Sequence, residues 1–192
     1  MTKTEIRKFY IAKRNQLSRV ECEELSYGIL RQFQQLDLAG VEYLHLFLPI
    51  DQRKEPDTRL IRDWLKTTYP QIKLVYPKTN FADFSMECYL DDEVLEIEVN
   101  AIGIPEPVSG NLLDPALIDM VLVPLLAFDK RGYRVGYGKG FYDRFTTNCR
   151  PDAKFIGLSF WPPVDLIDDL NEYDQQLTGC ITPEQYWAFK NQ

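Results

Sequence analysis

The sequence predicts a single-domain open α/β fold, a mostly parallel but mixed sheet flanked by helices, over residues 1–192. Three observations lead there. A chain of 192 residues that is 45% hydrophobic and 13% aromatic has the size and apolar content of one domain with a real core. Residues 43–77 read strand, helix, strand at the spacing of a βαβ unit, which requires a parallel pair. EVLEIEV at 93–99 alternates polar and apolar residues as a half-exposed antiparallel strand does, so the sheet is expected to be mixed.

The elements follow in chain order. Ile6, Phe9, Tyr10, Lys13 and Leu17 fall near helical spacing, and Leu25, Ile29, Leu30 and Phe33 repeat it after Ser18, a natural N-cap, so the first 36 residues form two helices. The first is expected to expose Lys3, Arg7 and Arg14 on neighbouring turns. YLHLFLPI (43–50) reads as a buried strand and DTRLIRDWLKTTY (57–69) as a helix capped by Asp57 or Thr58, with Trp64 in the core beside Leu60, Ile61 and Leu65. KLVYP (73–77) is the next strand. MECYL (86–90) and EVLEIEV are expected to form a hairpin around Asp91 and Asp92. After AIGIPEPVSGN (101–111), DMVLVPLLAFD (119–129) is the most apolar strand, followed by a glycine loop, a helix from about Gly140 and the strand KFIGLSF (154–160). The tail 161–192, with Pro162, Pro163 and Pro183, is expected to wrap the core as irregular chain.

Composition narrows the function. The longest apolar runs, such as VLVPLLAF (121–128), are far shorter than the ~20 residues that span a bilayer, and the amino terminus is charged rather than signal-like, so a soluble cytoplasmic protein with no membrane partner is expected. Cys22, Cys88, Cys149 and Cys180 form no C-x-x-C pair and no zinc spacing, which fits free thiols in a reducing compartment. A net charge of −7 argues against a nucleic-acid partner, which would need a basic excess. The single histidine, His45, lies in an apolar stretch, so neither a histidine triad nor a multi-histidine metal site is available. It is expected to be a strand residue with a structural hydrogen bond. Catalysis must then rest on Lys, Arg, carboxylates or a bound metal.

Residues 129–145, DKRGYRVGYGKGFYDRF, hold Gly132, Gly136, Gly138 and Gly140, four of the ten glycines. The loop is expected to leave the carboxyl end of a central strand, where open α/β sheets bind ligands. Glycines at 136, 138 and 140 let the backbone approach a ligand, consecutive N–H groups form an anion cradle, and Arg134 and Lys139 add charge. A plain strand-to-helix turn with solvated bases explains the same residues equally well. Two phosphate-binding templates fail on spacing. A Walker A loop needs Gly where Tyr133 stands and a hydroxyl where Gly140 stands, and the dinucleotide fingerprint needs G-x-G-x-x-G where this loop reads G-x-G-x-G.

The stretch VLVPLLAFDKRGYRVGYGKGFYDRF closely resembles the signature of the 5-formyltetrahydrofolate cyclo-ligase (methenyltetrahydrofolate synthetase) family, approximately P-x-x-A-F-D-x-x-G-x-R-L-G-Y-G-x-G-Y-Y-D-R. Pro124, Ala127, Phe128, Asp129, Gly132, Arg134, Gly136, Tyr137, Gly138, Gly140, Tyr142, Asp143 and Arg144 match, while Val135, Lys139 and Phe141 depart mildly. Lys3-x-x-x-Arg7 with Arg14 is similar to the family's opening helix, Glu55-x-Asp57-Thr58 to its E-x-D-T segment, and Gly103-Ile104-Pro105-Glu106-Pro107 to its G-I-x-E-P segment. The resemblance implies a layout similar to sugar-phosphate isomerases and CoA transferases, and ATP- and Mg²⁺-dependent closure of 5-formyltetrahydrofolate to 5,10-methenyltetrahydrofolate. It implies ATP contacts from Lys3, Arg7, Arg134, Val135, Gly136, Tyr137, Gly138, Lys139, Gly140, Phe141 and Tyr142, with Arg134, Lys139 and Tyr142 nearest the chemistry. Ile50, Glu55 and Tyr142 are the implied folate contacts, and Asp143 with Asp174 the implied magnesium ligands. A monomer acting on small molecules is expected. Taken alone, Lys3 and Arg7 read first as solvated helix charges and Asp174 as a surface acid, while Asp143 and Arg144 read also as an exposed pair and DQRKEPD (51–57) as a charged loop. Two rival functions are a binding module that has kept the scaffold, and a sugar-phosphate or CoA-ester enzyme. Arg134, Asp143 and Glu55 favour the cyclo-ligase.

Overall fold

The computed structural model describes residues 1–100 and 103–189. The first two residues of the 101–111 stretch and the last three of the tail lie outside them. Helix α1 (Lys3–Gln16) opens with a capping box between Thr2 and Glu5, and α2 (Arg19–Phe33) with one between Ser18 and Glu21. Each reciprocal pair satisfies two otherwise orphaned N–H groups, and such a cap contributes about 1 kcal/mol. Then follow β1 (Tyr43–His45), α3 (Thr58–Thr68) with Asp57 as N-cap, β2 (Lys73–Thr79), β3 (Met86–Leu90), β4 (Glu96–Val99), β5 (Pro105–Ser109), β6 (Met120–Pro124), β7 (Ala127–Phe128), β8 (Arg134–Val135), α4 (Phe141–Thr146), β9 (Lys154–Leu158), β10 (Gly179–Ile181) and β11 (Tyr186–Ala188).

The main sheet runs β11-β10-β9-β6-β1-β2-β3. Its five inner strands are parallel, and β3 and β11 close the two edges antiparallel. Both faces are covered. Leu44, Leu46, Leu74 and Leu122 pack under Ile29 and Phe33 of α2 and Ile61 and Leu65 of α3, while Val75, Val121 and Val123 face Phe128 and Phe145. This double burial is why the inner strands read as continuous apolar runs. A third cluster seats Ile6 and Tyr10 of α1 on Leu126, Ala127 and Val135. Among the described residues no helix is long and apolar enough to cross a membrane.

Several expectations need correction. MECYL and EVLEIEV do not pair: β3 returns along β2, and β4 forms a separate two-stranded ribbon with β5. YLHLFLPI contributes only three strand residues, although the chain stays largely buried beyond them. The run 119–129 is two strands, β6 in the main sheet and β7 in a hairpin with β8, so the glycine loop leaves β8 and not the central strand. The tail is not wholly irregular, since β10 and β11 extend the sheet. Arg14 is not exposed but buried at 2%. His45 is fully buried, yet among the described residues neither ring nitrogen has a hydrogen-bond partner; the ring instead tilts against Phe145, 5.1 Å between centroids.

Candidate active site

Strands β1 and β6 are neighbours, and from them the chain winds in opposite directions, through β2 to β3 and through β9 to β11. Open α/β sheets bind ligands at such a switch point, in the crevice outside the carboxyl ends of the strands. A cavity of about 420 Å³ opens there, lined by Phe47, Leu48 and Ile50 beyond β1, by Pro77 and Thr79 at the end of β2, and by Pro124 at the end of β6.

The glycine loop forms one wall, and its backbone conformation follows from what grips it. Gly138 takes φ +88°, and a Cβ there would also stand 3.1 Å from the Arg7 guanidinium, so only glycine fits without strain. Arg7 Nε donates to the Gly136 carbonyl at 3.0 Å, and Arg14 donates to the Tyr137 hydroxyl at 3.1 Å and to the Leu125 carbonyl at 2.7 Å. From the other side Arg144 donates to the carbonyls of Lys139 and Gly140 at 3.0 and 3.1 Å. The carbonyls are thus claimed by cations. Among the described residues, no backbone N–H from 137 to 143 donates to another group. Beside Gly136 there is open space where a side chain would stand. Gly132 acts elsewhere. It closes the β7–β8 turn at φ +91°, its N–H bonded to the Asp129 carbonyl, and packs against Phe189 away from the cavity.

Charges of both signs meet beneath this wall. Arg134 is buried, and its guanidinium donates to the Gln175 carbonyl at 2.6 Å and to Asp143 Oδ1 at 2.7 Å. Burial pushes its pKa down and Asp143 opposes that, which leaves a cation at neutral pH. Lys3 of α1 pairs with Asp174, both side chains being largely buried. Asp143 Oδ2 and Asp174 Oδ1 accept nothing among the described residues. Each carboxylate thus has one oxygen committed and one open.

Apolar and aromatic groups with one more buried carboxylate complete the lining. Glu55 Oε2 accepts the Ile50 N–H at 2.9 Å, and burial raises its pKa, opposed by that N–H and by the nearby Tyr137 hydroxyl. Tyr142 sits edge-on to His45 and Phe145, and burial lifts its phenol well above the usual value, so it is a hydrogen-bond donor in the ordinary pH range. Arg53 lies over the Tyr137 ring at 4.5 Å, and Phe81 meets Phe141 edge-to-face at 5.2 Å.

Of the residues named from the sequence, Lys3, Arg7, Ile50, Glu55, Arg134, Gly136, Tyr137, Gly138, Lys139, Gly140, Phe141, Tyr142, Asp143 and Asp174 all line this one cavity. Val135 does not: it is buried beneath the loop against the α1 cluster. Lys3, Asp143 and Asp174 are not solvated charges, and neither is the half-buried Arg7. Sequence reasoning missed Arg53, Phe81 and Glu106. Glu106 stood in the G-I-P-E-P segment and could have been found there, whereas Phe81, in a short loop that it shares with Phe84, carried no signal.

A family model described as the 5-formyltetrahydrofolate cyclo-ligase family matches residues 1–177. The chain is 28% identical over 187 residues to the 5-formyltetrahydrofolate cyclo-ligase of Mycoplasma pneumoniae, covering 96% of this chain and 100% of that one. Among solved structures, it is similar to a 5,10-methenyltetrahydrofolate synthetase from Mycoplasma pneumoniae, with a TM-score of 0.74 and 28% identity over 96% of this chain and 100% of that one. The 5,10-methenyltetrahydrofolate synthetase of Aquifex aeolicus gives a TM-score of 0.80 and 28% identity over 100% of this chain and 95% of its own. A match through 177 residues, with the same fold in two solved relatives, shows that the chain belongs to the 5-formyltetrahydrofolate cyclo-ligase family.

Proposed function

We propose that this protein closes 5-formyltetrahydrofolate to 5,10-methenyltetrahydrofolate while cleaving ATP to ADP and phosphate with Mg²⁺. The observation that carries this reading is a single cavity with two kinds of lining. Unclaimed N–H groups, Arg7, Arg134 and Lys139 make up one, and apolar side chains with the Glu55 carboxylate the other. The first suits a triphosphate and the second an aminopyrimidine edge. A formyl oxygen is a poor leaving group, and transfer of the γ-phosphoryl to it makes a good one. N10 then attacks the activated carbon and phosphate departs.

Phosphoryl transfer asks mainly for positioning and charge neutralisation. Lys3, Arg7, Arg134, Lys139 and the loop N–H groups supply both, and in this reading the Tyr142 hydroxyl donates between nucleotide and folate. Glu55 accepts from the pterin N–H groups, and Ile50 gives apolar contact. Mg²⁺ favours one or two carboxylates plus waters and phosphates, and the open oxygens of Asp143 and Asp174 fit that demand. When bound, the ion neutralises phosphate charge. No group of three or more potential ligand residues occurs among the described residues, so water and phosphate must complete its shell.

The test is direct. Purified protein mixed with Mg-ATP and 5-formyltetrahydrofolate should develop the near-ultraviolet absorbance of the methenyl product, with ADP formed in equal amount. Folded protein that binds both substrates without an absorbance change would favour the binding-module reading and refute this one.

A further inference from the structure

Arg53 lines the cavity from the segment that carries Ile50 and Glu55, yet its guanidinium rests on the glycine loop, 4.5 Å from the centre of the Tyr137 ring. Contact with a ring face uses the charge of the group and not its hydrogen-bond donors, so five N–H groups remain to be spent. None of them donates to another group among the described residues.

The surroundings call for an anion. Three guanidinium groups gather at Tyr137: Arg53 over its face, Arg14 at its hydroxyl, and Arg7 on the carbonyl of the preceding Gly136. One carboxylate, Glu55, answers them, and burial works against its ionisation. Arg7 and Arg14 are held by neutral acceptors, which leave their charge uncancelled, so this part of the wall carries a positive excess.

Position decides which anion. Arg53 stands two residues from Glu55, and its charge bears on that carboxylate and on Tyr137 alike. A cation shared between the segment that would hold folate and the loop that would hold phosphates belongs where the two substrates meet, and the phosphate that meets the folate is the terminal one. We infer that Arg53 is a catalytic residue that binds the γ-phosphoryl group as it passes to the formyl oxygen; this rests on the function proposed above. The formyl oxygen forms the new bond to phosphorus. The bond from phosphorus to the β,γ-bridging oxygen breaks with its pair leaving on ADP, and no proton moves to or from Arg53. Charge on the transferred group is spread over three oxygens during the step, and a guanidinium with uncommitted donors neutralises it.

Arg53→Met keeps a long stem beside the Tyr137 ring and removes the charge. In a single turnover with Mg-ATP and 5-formyltetrahydrofolate, its rate of ADP formation should fall by about 10²-fold or more, the range for one lost donor at developing charge. Arg53→Lys restores the charge without the fork and should recover part of that loss. The folate KM and the affinity for Mg-ADP, which lacks the γ-phosphate, should stay within about threefold of wild type. The melting temperature should change little, because the side chain is exposed. ADP formation near the wild-type rate overturns the inference. So does a folate KM that rises while the rate holds, which would make Arg53 a contact for a folate carboxylate. A Mg-ADP affinity that falls as far as the rate does overturns it as well, by placing Arg53 on the inner phosphates. A variant that melts well below wild type has the same force, since the guanidinium would then be a structural group. An inactive wild type overturns the ring-closure reading and this inference with it. An active wild type beside an unimpaired Arg53→Met overturns this inference alone.

Discussion

Arg134 and Lys139 bring the same charge to the same wall from opposite environments, and that difference makes them separable. Lys139 is exposed at the rim, whereas Arg134 is buried between Asp143 and the Gln175 carbonyl. Lys139→Ala should therefore raise the KM for ATP by about tenfold, a loss of about 1.4 kcal/mol, with the folate KM and melting temperature little changed. Arg134→Ala should raise the ATP KM further and also lower stability by about 2–3 kcal/mol, because it strands a half-buried carboxylate and a carbonyl. Steady-state kinetics with each substrate varied, together with thermal melts, check both; equal effects on the ATP and folate KM values would refute the phosphate role. The identity of these residues was legible in the sequence, but their surroundings were not. Lys3, Arg7 and Arg14 share one helical face, and polarity patterning marks that face as outward. Here the glycine loop lies over it, so the pattern could not tell a solvent face from a site face.

At the level of the element, the glycine loop is a backbone shaped by its neighbours, and its glycines are not interchangeable. Gly136 has no positive φ and open space where a Cβ would stand. Gly136→Ala should leave the melting temperature unchanged while raising the KM for ATP, because the new methyl enters the cavity. Gly138→Ala should instead destabilise by about 1 kcal/mol or more, through its positive φ and its contact with Arg7. Melts and ATP kinetics on the pair check this; a melting temperature that falls with Gly136→Ala would show that its open space is needed by the fold. The helices and their caps could be read because capping and amphipathic spacing are local. Strand partners could not. Alternation in EVLEIEV marks an antiparallel strand but is silent on which strand it joins, and its true partner β5 lies beyond Asn100 rather than before Asp91. The run 119–129 stays buried as the chain passes from the main sheet into the β7–β8 hairpin, so hydropathy gave no sign of the break. Strands β10 and β11 are three residues each, too short for a period to register among the prolines of the tail.

For the molecule as a whole, the α/β class followed from the sequence, while the exit of the glycine loop from β8 and the strand order that creates the switch point did not, because both rest on contacts between distant segments. His45 ties that architecture to pH. It stands on β1, between the neighbouring strands β2 and β6, and packs under α4 with no partner for either nitrogen among the described residues. Burial pulls its pKa down from 6.5 to about 3. The folded protein therefore keeps the ring neutral where the unfolded chain takes up a proton. The stability associated with the neutral ring is fully present above pH 6.5 and is lost as pH falls toward 3, at up to about 1.4 kcal/mol per pH unit. Glu55 acts with the opposite sign, since a raised carboxyl pKa favours the folded state at low pH. The total pH dependence thus mixes the two, and a difference between proteins isolates His45. Denaturant unfolding at pH 7 and pH 4.5 should show that His45→Leu loses about 2–3 kcal/mol less stability than wild type over that interval. Equal losses in the two proteins would mean that the imidazole is protonated in the folded state and that its burial does not hold it neutral.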